Sequence, residues 1–126
     1  MSKYENAHVD KQDETIGDSL YQIAFQLISV AGDSRSSALM AIQKAKKFKF
    51  AEAENLLRAA NDEFIKSHDI QSKLLTNEAQ GSKSELNVIL VHSLDHLTMA
   101  TMALEEAKEM IELYKMIDVL KKQIHN

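Results

Sequence analysis

Two histidines and an aspartate sit in a segment that is otherwise almost wholly apolar, Val88-Ile-Leu-Val-His92-Ser-Leu-Asp95-His96-Leu-Thr-Met-Ala100. On a helix of 3.6 residues per turn, positions i, i+3 and i+4 share a face, so His92, Asp95 and His96 are neighbours. A neutral imidazole carries a nitrogen lone pair that can attack phosphorus or an acyl carbon, which makes His92 the candidate nucleophile. Asp95 can orient an imidazole or bind a hard cation such as Mg²⁺. His96 can donate a hydrogen bond to an anion or serve as a second metal ligand. An aspartate buried in such surroundings needs a partner. The local sequence supplies none, so this face meets either a second site or another copy of the chain. Packing alone also accounts for a histidine on an apolar face, and metal sites in helical bundles use similar spacings. A complete metal site would want further ligands, and the sequence has no second cluster of this kind. His68 and Gln71 form either a contributor to the site or a polar helix-packing pair, while His8 and His125 lie near the ends and are expected to be solvent-exposed.

The elements that must position these groups are helices. The chain has 126 residues, no proline, three glycines and few aromatics, a composition suited to long helices and not to a turn-rich β-sandwich. Apolar or small residues recur at Ile16, Leu20, Ile23, Leu27, Val30 or Ala31, Ser34, Ala38, Ala41 or Ile42, and Ala45, in alternating steps of three and four. This register survives Gly32-Asp33, so one long helix starting near Asp13–Thr15 is favoured over two short ones. A second helix reads from Ala51 to about Ala79, with an inner stripe of Ala53, Leu56, Leu57, Ala60, Phe64, Ser67, Ile70, Gln71, Leu74 and Leu75. Gly81 would end it, and Ser82-Lys-Ser-Glu85 fits a capping box that opens a third helix running to about Ile124. The first half of that helix is apolar nearly all round, which two neighbours cannot cover, so self-association around it is expected. The methionines Met99, Met102, Met110 and Met116 suit core or interface packing. Lys44, Lys46, Lys47 and Lys49 read as a solvated helix end whose cations complement the helix dipole.

The fold expected is all-α, a three-helix bundle with antiparallel neighbours, residues 15–126 forming the domain and residues 1–14 a flexible tail. Absence of cysteine excludes disulfides and thiolate metal sites. A net charge of −4 without a basic stripe argues against nucleic-acid binding. The longest apolar stretch is broken by Asn87, His92, Asp95 and His96, a poor membrane span.

Three segments then carry a resemblance across about residues 15–117. Gly32-Asp-Ser-Arg-Ser36 resembles a Gly-(Asp/Asn/Gln)-Ala-Arg-Ser motif. Ser67-His-Asp-Ile-Gln71-Ser-Lys-Leu, followed by Glu78-Ala-Gln-Gly81, resembles Ala-His-x-x-Gln-Thr-x-Leu and Glu-Ala-x-Gly. Val91-His92-Ser-Leu-Asp95-His96-Leu resembles Val-His-Ala-Gln-Asp-His-Leu. These motifs, in this order and spacing, are those of the enzyme IIA component of the lactose/cellobiose (chitobiose) family of the phosphoenolpyruvate-dependent sugar phosphotransferase system. The resemblance implies a cytoplasmic homotrimer with the third helix central. His92 would be phosphorylated by phospho-HPr and would pass the phosphoryl group to a IIB component. Asp95 would meet its symmetry mates around one structural Mg²⁺ per trimer. His96, His68 and Gln71 would support the histidine. No nucleic acid and no membrane insertion are implied.

The chain departs from the pattern at several points. Leu94 stands where the family commonly has glutamine, and leucine cannot hydrogen-bond a phosphate. Ser93 replaces alanine or glycine, Thr98-Met99 inverts the usual Met-Thr, and Phe48-Lys49 replaces the Gly-Asp of a Gly-Asp-Phe between the first two helices. A divergent helical module that has lost transfer is therefore the competing expectation, and a bundle metalloprotein using His92, Asp95 and His96 is a third.

Overall fold

The computed structural model describes residues 11–80 and 88–125. Three helices account for nearly all of them: α1 spans Lys11–Lys46, α2 Phe50–Ala79 and α3 Val88–Ile124. Among the described residues there is no strand. α1 runs unbroken through Gly32, where an added Cβ would meet nothing within 4 Å. It begins at Lys11, so Lys11 to Glu14, expected in the tail, are helical. Gly81 and the Ser82–Glu85 capping box lie outside the described residues, as does the rest of the tail.

Alanine dominates the interior. On α1 the buried positions among the described residues are Ala24, Leu27, Ala31, Ser34, Ala38, Ala41 and Ala45. Those from Leu27 onward fall on the alternation read from the sequence, whereas Ala24 is buried where Ile23 was expected, and Leu20 and Ile23 are half-buried. On α2 they are Ala53, Ala60, Ser67 and Leu74, one every seven residues. Leu56, Leu57 and Phe64 are half-buried beside them, whereas Leu75, expected inside, is exposed. α1 packs extensively on both other helices, and α2 and α3 meet far less. Ile23 and Gln26 lie with Ile70, Leu74 and Asn77 around one cleft. Further along, Ala38, Ala60, Ala103, Leu104 and Ala107 share one cluster, and Ala41, Ala45, Ala53 and Ile111 the next. Residue numbers thus rise along α1 and α3 together while they fall along α2.

Among the described residues three buried ones are polar, and all are serines: Ser34, Ser67 and Ser93. Each occupies a place where the resembled motifs carry alanine or glycine. A buried hydroxyl needs an acceptor, and each has one. Ser34 Oγ donates across the helix interface to the Ala60 carbonyl at 2.7 Å, Ser67 Oγ to the Glu63 carbonyl at 3.0 Å and Ser93 Oγ to the Leu90 carbonyl at 2.6 Å. The substitutions therefore leave the interior satisfied.

The α1–α2 connection is a Schellman turn. The Phe48 amide donates to the Ala45 carbonyl at 2.9 Å and the Lys49 amide to the Lys44 carbonyl at 3.0 Å. Its left-handed residue is Phe48, φ 60°, where glycine is usual. Left-handed backbone costs a side-chain-bearing residue about 1–2 kcal/mol. The Lys121 ammonium, 5.3 Å from the Phe48 ring centroid, returns part of this, and the Phe50 ring lies 6.0 Å away.

One ion-pair network crosses from α2 to α3. Lys115 Nζ donates to Glu54 at 2.9 Å and to Glu112 at 3.3 Å. The hydrogen bond to Glu54, then that to Glu112, raises the Lys115 pKa above its ordinary value. All three groups are substantially solvated, so the network adds little stability.

Candidate functional site

The site begins with the inner face of α3. Leu90, Ser93 and Leu97 are buried against the bundle and fix the rotation of the helix about its axis. That rotation leaves His92 and Asp95 exposed and His96 half-exposed. His92 and His96, one turn apart, meet edge to face: ring centroids are 4.5 Å apart at 90°, and the two Nε2 atoms are 3.1 Å apart. One Nε2 must carry a hydrogen and the other a lone pair. With that pairing, each ring orients the other. A nucleophile with a neighbouring donor on an open surface is the arrangement a transferred anionic group needs.

The other residues read from the sequence are placed differently. Asp95 lies about 60° round the helix from His92, on the side away from His96. It was expected to be buried and in need of a partner; in the single chain it is solvated. The demand for a partner arises only when something covers that face. His68 is exposed on α2, its ring 6.3 Å from the Phe64 ring, and Gln71 is half-buried one turn further on. Clusters that join Ala60 to Leu104 and Ala53 to Ile111 bring Gln71 level with Ser93 along the bundle. No hydrogen bond or ring contact among the described residues joins His68 or Gln71 to His92 or His96. Leu94, adjacent to the site in sequence, lies about 200° round α3 from His92, and residues two apart on a helix do not face each other. Among the described residues no three His, Asp or Glu side chains converge to hold a metal ion, and Asp95 stands apart from the His92–His96 pair.

Sequence reasoning missed an apolar surface on α1. Tyr21 and Phe25 are exposed at 48% and 59%, with Leu39 and Met40 exposed further along. The signal was available: an aromatic pair four apart and off the heptad seam.

Comparison with known proteins is direct. The family described as "PTS system, Lactose/Cellobiose specific IIA subunit" matches residues 22–115. The lichenan-specific phosphotransferase enzyme IIA component of Bacillus subtilis is 41% identical over 102 residues, covering 81% of this chain and 93% of that protein. The crystal structure of the cellobiose-specific enzyme IIA from Bacillus anthracis superposes with a TM-score of 0.77 at 42% identity, covering 78% of this chain and 90% of that one. The chitobiose IIA in the solution structures of the IIA–HPr complex from Escherichia coli gives 0.69 at 30% identity, covering 79% and 96%. On these matches, and on the histidine pair in its motif, the chain belongs to the lactose/cellobiose-specific IIA family of the sugar phosphotransferase system.

Proposed function

We propose that the protein is a cytoplasmic phosphohistidine carrier in which His92 accepts a phosphoryl group from phospho-HPr and passes it to the IIB component of a β-glucoside-, lactose- or cellobiose-type permease. The observation that carries this reading is the His92–His96 pair, held together on an exposed surface inside the family's own motif. The related chitobiose IIA is captured in complex with HPr. Tyr21 and Phe25 supply exposed apolar surface for such a protein partner. The donor's N–P bond breaks as the bond to His92 forms, so one phosphoramidate replaces another. Positioning and neutralisation of the phosphoryl oxygens supply the catalysis. His96 donates a hydrogen bond to that group once it is attached, and His68 and Gln71 act from the neighbouring surface of the assembly.

The same reading includes a homotrimer packed through α3. Val91, Met99, Met102, Met110, Leu113 and Leu120 are exposed in the single chain and fall on one stripe with Asp95. Covering that stripe with two further copies of α3 would bring three Asp95 carboxylates together. Such a set requires charge compensation, and oxygen donors of this type suit Mg²⁺. Three Asp95 carboxylates would hold the ion, which would offset two of their three negative charges and take no part in transfer. The reading of a module that has lost transfer rested on Leu94, whose position across α3 from His92 withdraws its main support.

Intact mass spectrometry after incubation with phosphoenolpyruvate, enzyme I and HPr tests the proposal. One acid-labile phosphate is expected on the wild type and none on a folded His92→Ala protein. A wild type that takes up no phosphate from active donors, or a His92→Ala protein that does, sinks it.

A further inference from the structure

The end of the bundle remote from His92 carries a second surface. His92 lies near the start of α3, and Lys121 near its end is roughly 43 Å further along the helix axis. In residues 44–54 and 112–125, which pack together there, seven lysines face four carboxylates, within a chain whose net charge is −4. Local partners absorb some of the lysines: Lys44 pairs with Glu52, Lys115 with Glu54 and Glu112, and Lys122 with Asp118. Lys46, Lys47 and Lys49 are exposed and have no ion-pair partner among the described residues. Between them stands Phe48, in the left-handed conformation that glycine would adopt without strain. The Lys121 ammonium sits over its ring. Strain held at an exposed turn is a pointer to function when the side chain that causes it is itself placed at a surface.

We propose that this turn docks the protein on an anionic lipid surface. Lysine clusters flanking an aromatic ring are the chemistry of such surfaces, where diffuse charge is matched by point cations and a ring enters the headgroup layer. The free cations here are all lysines; arginine, the residue suited to bidentate phosphate recognition, is absent from this end. The inference rests on the proposed trimer for one point: rotation about an axis along α3 brings three copies of the turn to the same end, where a flat surface can meet all of them. It leaves the His92 end facing away from the bilayer.

The test is flotation of the full chain with phosphatidylcholine vesicles, with and without about one-third phosphatidylglycerol. Binding to the anionic vesicles alone is expected, and it should be lost near 0.5 M salt, where screening extends only about 4 Å. The triple variant Lys46→Gln, Lys47→Gln, Lys49→Gln should partition at least about tenfold less. Phe48→Gly, which removes the ring and relieves the backbone, should partition several-fold less while remaining folded. Equal binding to both vesicle types, no binding at low salt, or an undiminished triple variant overturns the inference. Retention on single-stranded oligonucleotide in place of vesicles overturns the choice of lipid. Phosphate uptake at His92 is measured on the same samples. Uptake without vesicle binding rejects this inference alone, and vesicle binding without uptake rejects the carrier reading alone.

Discussion

The two faces of α3 invert the usual order of side-chain size. Its inner face is built from Ser93, Ala100, Ala103 and Ala107 among Leu90, Leu97, Leu104 and Ile111. Its outer face carries Val91, Met99, Met102, Met110, Leu113 and Leu120, all exposed at 40% or more. In the single chain bulky apolar side chains thus remain in water, while half of the inner-face positions carry only alanine or serine. Full burial of one such side chain is worth about 1.5–3 kcal/mol. In the proposed trimer, covering the outer stripe would add a driving force of this kind for association. An apolar pattern running all round one helix thus supplies one interface closed within the chain and, in the proposed trimer, a second one for other copies.

Substitutions on the two faces should separate these interfaces. The largest effect is expected from Ala107→Asp, which puts a carboxylate at a fully buried position in the cluster with Ala38 and Ala60. With no partner, it should cost at least about 4 kcal/mol and abolish the cooperative unfolding transition seen by circular dichroism. A stably folded variant would mean that this face is not a closed core. Leu113→Glu, on the outer face, should leave the helical signal intact and weaken association by at least about tenfold, read by sedimentation velocity. Helix content lost together with association would show that the two faces cannot be separated. Asp95→Leu should sharpen the comparison further. Chelation should weaken association of the wild type and leave this variant unaffected; identical sedimentation of both, with and without chelator, counts against the shared cation. The smallest effect belongs to Lys115→Met, at the border with α2, at about 1 kcal/mol or less. Because the folded pKa of Lys115 is raised, its contribution is fully present below the unfolded value of about 10.4 and is lost as pH rises through the folded one. The difference from wild type, followed by denaturant titration, should therefore be constant from neutral pH to about pH 9 and vanish in strong alkali.

The sequence carried the helices because their seams are regular. Leu27, Ala31, Ser34, Ala38, Ala41 and Ala45 are buried at the positions the three-four alternation selects, and Gly32 does not interrupt them. Periodicity also placed His92 and His96 one turn apart. It could not say that the rings would meet at their Nε2 atoms, because that depends on rotamers. Nor could it tell that Asp95 is solvated in the single chain, since an apolar neighbourhood in sequence is not burial in space. Leu94 gives the same lesson from the other direction: one residue separates it from His92 in sequence, and the width of the helix separates them in space. Leu75 failed by register, because it lies on the edge of a seam whose centre runs through Ser67 and Leu74.

The alanine seams have a mechanical consequence. Helices that touch through methyl groups lie close together, and the Ser34 hydroxyl bonded to the Ala60 carbonyl pins α1 to α2 where they touch. Sliding or rolling one helix would drive these close-packed alanines into the facing backbone and break that bond, while Ile42, Leu57 and Phe64 fill the flanks of the seam. For the carrier proposed here, loading and unloading are then events at a rigid surface. Donor and acceptor would recognise the same fixed shape, and the direction of flow would follow from the relative transfer potentials of the groups on either side, without a conformational gate in the carrier.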